Sequence, residues 1–332
     1  MTADLAARIG ALTGVAVTGL RAAGAQHGYR HLTAQFADGR EAFVKVAFAA
    51  DGERDARTAA AFAAEASGLR WLAEASLARP APPGPASPGP ASPGPASPGP
   101  ASPGPAWRGH GGAAVPEVLG VDDSVLVIEL LPPGGPSPQA ARAFGAALAR
   151  THAAGAPAFG APWPGFIASL PLDNTPPDNA GETDWATWYA RRRIVPYLRR
   201  AHDAGTLPRS DVRLVERVVA RISELAGPPE PVSRLHGDLW SGNVFWSGGR
   251  GWLIDPAAHG GHRETDLAML ALFGAPHLDE ILRGYTETAP LADGWRARVP
   301  LHQLHPLLVH VCLFGSGYAS ELAAAARAAL AG

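Results

Sequence analysis

The sequence predicts an α+β fold in two lobes: a small, β-rich N-terminal lobe over residues 1–131 and a larger, mainly helical C-terminal lobe over 132–332. Three observations carry this prediction. Strand-like runs crowd the first 131 residues around one long helical pattern. Beyond residue 136, amphipathic helical spacing dominates. Between the two regimes stands Pro132-Pro133-Gly134-Gly135, which continues neither helix nor strand. A chain of 332 residues is long enough for each lobe to bury its own core.

Taken in order, Thr2 to Leu12 reads as a helix, with Leu5, Ile9 and Leu12 on one side. Val15 to Leu20 reads as a strand. The glycine-bearing stretch Ala22 to Gly28 reads as a loop ahead of strands Tyr29 to Phe36 and Ala42 to Phe48, which join through Asp38-Gly39. Side chains alternate along a strand, so Lys45 shares a face with Phe43 and Ala47, while Val44, Val46 and Phe48 take the other. A lysine between apolar faces either reaches water from an edge strand or needs a partner. Glu53 to Glu74 offers one: its helical stripe carries Phe62, Leu69, Leu72 and Glu65, and an acid on a buried stripe needs a cation. Residues 80–106 repeat GPASP four times and contain no large apolar side chain, so they read as an extended, solvated insertion. Val115 to Val121 leads into the largely apolar Ser124 to Leu131, a strand buried on both sides.

In the second lobe, Ser137 to Ala153 is a helix with Phe144, Leu148 and His152 on one stripe, and His152 reads as a hydrogen-bonded core histidine. Ala158 to Asn179 reads as a loop and Trp185 to Ala204 as a helix. The arginines 191–193 of that helix divide between ion pairs and solvated surface. Val212 to Leu225 is a further helix. Glu264 and Asp266 open the apolar helix within Gly260 to Phe273, where an acid is favourable. Asp266 is expected to cap that helix and brace the segment before it. Leu301 to Leu330 is helical, and its His302, His305 and His310 show no metal-binding spacing, so no zinc is expected.

Composition narrows the function. Net charge is −2, so no basic field for nucleic acid is expected. No apolar run reaches the ~20 residues that span a bilayer, and no signal peptide is evident, so no membrane role and a cytoplasmic location are expected. The single cysteine, Cys312, lies in an apolar run and fits a buried thiol in a reducing compartment. Nothing in the sequence specifies an oligomeric state.

The stretch that organises the chain is Leu235 to Ala257, LHGDLWSGNVFWSGGRGWLIDPA. Asp238 and Asn243 have the D-x-x-x-x-N spacing of a kinase catalytic loop. Asn243 to Trp246 and Trp252 to Asp255 read as strands around a glycine-rich turn, a hairpin that returns Asp255 to Asn243. One Asp and one Asn oxygen suit magnesium, and a further carboxylate can accept the proton of an incoming hydroxyl. HGDLWSGN followed by WLIDPA resembles the fructosamine-3-kinase (ketosamine kinase) family. HGD-x-x-x-x-N alone is shared with aminoglycoside phosphotransferases and choline kinases; the inserted Leu-Trp-Ser-Gly, and Asp-Pro-Ala in place of Asp-Phe-Gly, are similar to the ketosamine branch. The resemblance runs along nearly the whole chain apart from the insertion.

The resemblance implies a protein-kinase-like fold, with ATP and Mg2+ as cofactors. Lys45 would hold the phosphates and be fixed by Glu65. Backbone groups of Glu129 to Leu131 would bind the adenine edge. Asn243 and Asp255 would carry the metal, and Asp238 would be the catalytic base. His236 and Trp240 are candidates for substrate contact. The resembled family carries more glycines near Ala22 to Gly28, and a cysteine in some members; this chain has neither, so no thiol switch is expected. The implied substrate is a small-molecule or protein-bound ketosamine, phosphorylated on a sugar hydroxyl so that the amine is released. Two other readings stay open: a kinase of another hydroxyl compound, aminoglycoside or choline-like, and a nucleotide-binding pseudokinase scaffold.

Overall fold

The computed structural model describes residues 2–26, 28–47, 52–77, 111–177 and 184–332. The Pro-rich stretch 80–106, Phe48 and the end of the loop at 178–183 lie outside the described residues. Helix α1 (Thr2–Thr13) precedes strands β1 (Val17–Gln26), β2 (Tyr29–Phe36) and β3 (Glu41–Ala47). Helix α2 (Gly52–Leu77) follows, then β4 (Val118–Val121) and β5 (Val125–Glu129). These strands form one antiparallel sheet in the order β1-β2-β3-β5-β4. Strand alternation gives the sheet two apolar faces. Val44, Val46, Val125 and Val127 pack with Ile9 of α1, while Ala47, Leu126 and Ile128 pack with Phe62, Ala66 and Leu69 of α2. Lys45 alternates onto the α2 side, as its spacing requires.

One expectation changes here. The glycine-bearing stretch Ala22 to Gln26 is strand, not loop: β1 continues to Gln26, pairing with Tyr29. The hairpin partner β2 supplies the backbone bonds that the loop reading lacked, and a bulge between Ala22 and Gly24 absorbs the irregularity.

The second lobe opens with α3 (Pro138–Ala153), capped by the Ser137 side chain accepting from the Ala140 N–H, with proline at its start. A short hairpin, β6 (Gly165–Ile167) and β7 (Leu170–Leu172), lies inside the segment expected to be loop. Helices α4 (Trp185–Tyr189) and α5 (Val195–Asp203) are joined by a π-helical turn, Ala190–Ile194. Then come α6 (Arg209–Ala220), α7 (Ile222–Leu225), β8 (Ser233–Leu235), β9 (Val244–Ser247), β10 (Arg250–Leu253) and β11 (His259–Gly261). Helices α8 (Glu264–Leu272), α9 (Leu278–Thr288), α10 (Trp295–Phe314) and α11 (Ala319–Ala331) complete the chain. The span Trp295–Ala331 is long and apolar enough, by composition, to cross a membrane. It instead breaks at a 3-10 turn, Gly315–Tyr318, and folds back until a Cβ on Gly332 would touch Ala297. Leu301, Leu304, Leu308, Leu322 and Ala326 then fill one core with α4 and α5.

Candidate active site

The β9–β10 hairpin builds the centre of the site. Leu253 pairs with Val244, and the Ile254 N–H donates to the Asn243 carbonyl at 3.1 Å. Asp255 is thereby returned beside Asn243, as the turn-rich sequence predicted. Asp255 adopts φ +52, a left-handed backbone that few non-glycine residues take. Its side chain is 46% exposed, into the cleft.

Lys45 crosses from the sheet to meet it. Its Nζ donates to Glu65 Oε1 at 2.7 Å and to Asp255 Oδ1 at 2.5 Å, and the residue is only 6% exposed. Burial alone would lower the ammonium, but the two carboxylates overcome it and hold Lys45 above its ordinary value. Two acids sharing one cation do not fare alike. Burial pushes Glu65 up in spite of Lys45, whereas Lys45 holds Asp255 below the usual carboxylate range against its own desolvation. Asp255 therefore keeps its charge more firmly.

Asp238 and Asn243 form a second pair. Asn243 Nδ2 donates to the Asp238 backbone carbonyl at 2.8 Å and to Asp238 Oδ2 at 3.1 Å. Desolvation raises the Asp238 carboxyl to about 7; the Asn243 bond opposes this, and the charges of Asp255 and Asp266 add to it. A carboxyl poised there is suited to accept a proton near neutral pH.

The loop carrying Asp238 is braced from behind. Asp266 accepts from the His236 N–H at 2.7 Å and the Gly237 N–H at 3.0 Å. It also meets His152 Nε2 at 3.2 Å, while His152 Nδ1 meets the Tyr285 hydroxyl at 2.7 Å. The bracing and the core histidine are as the sequence predicted, but Asp266 does not cap α8: it lies inside the helix, whose start has no side-chain cap bond. His236 is corrected: it is fully buried and touches no cleft. Its Nε2–H donates to the Ile254 carbonyl at 2.8 Å, and its Nδ1 accepts from the Asp238 N–H at 3.3 Å. It ties the Asp238 turn to the Asp255 strand instead of contacting substrate. Between them Gly237, at φ +82, has no room for a side chain, since a Cβ would sit 2.2 Å from the Ala257 carbonyl oxygen.

Lys45, Glu65, Asp238, Trp240, Asn243 and Asp255 all line one cavity of about 730 Å³. Gln26, Tyr29 and His31 reach it from the first hairpin, and Phe273, His310, Phe314 and Tyr318 from the helical side. Glu129 and Leu131 are not among its lining. The Glu129 N–H donates to the Glu117 carbonyl at 2.8 Å, and its Oε2 accepts from the Glu117 N–H at 3.3 Å. That N–H is spent on the β4 side and cannot serve an adenine edge. His302 also gains neighbours that sequence spacing hid: ligand atoms of His262, Glu264 and His302 lie within 4.8 Å of one another. Arg298 donates to both Glu264 oxygens there, at 2.9 and 2.6 Å, so the acid already has its cation.

Comparison with known proteins decides the family. The fructosamine kinase family model matches residues 107–331. This chain belongs to the fructosamine kinase family. A crystal structure of a candidate fructosamine-3-kinase from Thermobifida fusca YX-ER1 is 46% identical, covers 99% of each chain and superposes with a TM-score of 0.82. A Klebsiella aerogenes protein named probable ketoamine kinase is 38% identical over 208 residues, spanning 61% of this chain and 69% of its own. A macrolide 2'-phosphotransferase type I, 19% identical over 98% of this chain and 95% of its own, shares the fold at a TM-score of 0.57. The fold of this fructosamine kinase family member is protein-kinase-like, with a β-rich N-terminal and a helical C-terminal lobe, and its chemistry is phosphotransfer.

The residues present fit a divalent cation and a nucleotide phosphate. Asn243 Nδ2 is committed to Asp238, which turns Oδ1 away as an acceptor that receives no hydrogen bond among the described residues. Asp255 shares Oδ1 with Lys45 and faces the cleft. Amide and carboxylate oxygens are the hard donors that magnesium takes. Residues that the sequence did not single out include Asn174, on the wall after β7. Its signal was absent because that segment read as loop.

Proposed function

We propose that this protein is an ATP-dependent kinase that phosphorylates a sugar hydroxyl of ketosamines, on the 3-hydroxyl, and thereby frees small-molecule or protein-bound amines from their sugar. The observation that supports this best is one cavity holding Lys45 between Glu65 and Asp255 opposite the Asp238–Asn243 pair. In this reading residues 1–131 bind ATP and 132–332 bring the acceptor and the base, in the cytoplasm. Lys45, held by Glu65, would neutralise phosphate oxygens; Asn243 Oδ1 and Asp255 would hold Mg2+. The bound metal supplies charge stabilisation at the phosphates. Asp238 accepts the proton of the acceptor hydroxyl, kept in place by Asn243 and by the Asp266-braced turn. Trp240, 37% exposed beside the base, offers a sugar ring an aromatic face.

The cavity also weighs on the alternatives. Among the described residues its carboxylates are Glu65, Asp238 and Asp255, the three that the proposed reaction uses. A coupled ADP-release screen over ribulosamines, fructosamines, aminoglycosides and choline tests the reading. Release with a ketosamine, reduced by orders of magnitude in D238N, is expected. Release with no ketosamine, or release unchanged in D238N, would overturn it.

A further inference from the structure

Helix α2 belongs to both lobes. Phe62, Ala66 and Leu69 pack under the sheet that carries Lys45. Leu72 instead enters the core of Leu239, Val244 and Leu253, which backs the catalytic stretch. Glu65, Gly68 and Leu72, spaced i, i+3 and i+7, share one side of the helix. On that side Gly68 is buried, and a Cβ there would come within 3.1 Å of Ala258 Cβ and 3.3 Å of Pro256 Cγ. The helix that presents Glu65 therefore rests directly on the segment that presents Asp255. A packed helix shifts as one rigid element, so any slide or roll of α2 would change the Glu65–Lys45–Asp255 geometry.

Arg234 holds α2 in this place. It lies on β8, the strand that leads into the Asp238 turn. Its Nη1 donates to the Trp71 carbonyl, in the body of α2, and meets Glu74 Oε2 at 3.2 Å. Its Nε donates to the Gly155 carbonyl, just past α3, at 3.3 Å. The guanidinium lies over the Trp71 ring, 4.5 Å from its centroid. Trp71 in turn meets Trp163 of the cavity wall edge-on at 5.7 Å. The Glu74 pair matters least, because that carboxylate is 64% exposed and exposed pairs contribute little. The Arg234 side chain is only 12% exposed, so its bonds to the two carbonyls and its stack on Trp71 are made largely out of water. One side chain thus joins the strand that leads to the base with the helix that carries the partner of Lys45.

We infer that Arg234 is a positioning residue: from β8 it holds α2 against the Asp255 segment, and so keeps Glu65 where it fixes Lys45 for a nucleotide phosphate. This rests on the kinase reading proposed above. A double-mutant cycle on the full chain tests it, with R234M, E65A and the two combined. The readout is the affinity for the non-reacting nucleotide AMP-PNP with Mg2+, measured by titration calorimetry without any acceptor. With Glu65 present, R234M should weaken binding roughly five- to tenfold. In the E65A background the same change should weaken it by less than about twofold, since no Glu65 is left to misplace. A side chain that only stabilises the fold would give equal losses in both backgrounds, or a lower melting temperature with binding intact. Either result overturns the inference. Should R234M fail to fold, R234K keeps the charge and the stem over Trp71 but loses the planar fork, and the cycle run with it must show the same dependence on Glu65. Wild-type protein that binds no nucleotide overturns the kinase reading and this role together. Protein that binds nucleotide but phosphorylates no ketosamine overturns the proposed substrate and leaves the role of Arg234 standing.

Discussion

Replacing Asp238 with asparagine should make the protein more stable at the same time as it stops the reaction. The Asp238 carboxyl sits at about 7 in the folded chain against an ordinary 3.8, because desolvation disfavours its charged form. A raised folded value means that the native state binds the proton more tightly than the unfolded chain does. Stability is then fullest below pH ~4 and is lost as pH rises through about 7. The full difference corresponds to roughly 4 kcal/mol, but Asp238 opens onto a solvated cleft, which leaves roughly 1–2 kcal/mol. D238N removes that cost while Asn243 can still donate to the side-chain oxygen and the backbone carbonyl. Thermal melts with a chelator present should show D238N a few degrees above wild type at pH 8, about 2–4 °C per kcal/mol, with the gain vanishing near pH 4.5. Turnover should fall by roughly 10²–10⁴. A D238N protein that is equally destabilised at both pH values, or one that keeps near-normal turnover, would refute the electrostatic reasoning.

The other predictions concern the residues around it. K45M removes the cation that Glu65 and Asp255 share; it should abolish nucleotide-dependent stabilisation in melts and make the protein more stable at pH 5 than at pH 8, since the orphaned carboxylates then favour protons. G237A forces a Cβ against the Ala257 carbonyl oxygen in a left-handed backbone, and should lose roughly 2 kcal/mol or more in denaturant unfolding together with most activity. Glu264 is held down at about 2 by Arg298 and His302 in spite of its burial, so the stability it contributes is present above its ordinary value near 4.5 and lost as pH falls toward 2. R298M should cost roughly 3–5 kcal/mol at pH 7 by stranding that acid. Phe314, 63% exposed on the cavity's outer wall beside His310 and Tyr318, should when changed to alanine raise KM for ketosamines with aromatic amine portions more than for those with small polar ones.

The sheet, the glutamate helix and the β9–β10 hairpin were legible because each is written locally. Alternating valines, a helical stripe through Phe62, Leu69 and Leu72, and a Gly248-Gly249 turn with both φ values positive are signals within a few residues. The Lys45–Glu65 pair was legible because a buried charge demands an opposite one. The misreadings share a cause. Gln26 is in a strand because β2 pairs with it, and His236 is a core residue because Ile254 and Asp266 claim its ring and backbone. Arg193, read as ion-paired or solvated, is buried on neutral oxygens, and Asn174 went unremarked, for the same reason, since their contact links a loop to a π-helical turn. Partners supplied by distant segments leave no periodic trace in the sequence.

What gathers in the cavity is a set of arrangements that disfavour folding. Asp255 holds a left-handed backbone, two carboxylates divide one ammonium, Asp238 is an acid short of solvent, and the Asn174 amide donor lacks an acceptor. The carboxylates among them would be relieved by the same event: cationic and polar ligand groups entering one space. The scaffold can carry these costs because packed cores back the site: Leu239, Val244 and Leu253 of the catalytic stretch sit in one of them, and others lie under α10 and α11 and on both faces of the sheet. Metal, nucleotide and acceptor should therefore stabilise the protein by more than each does alone, because every one of them satisfies a group that the others leave strained.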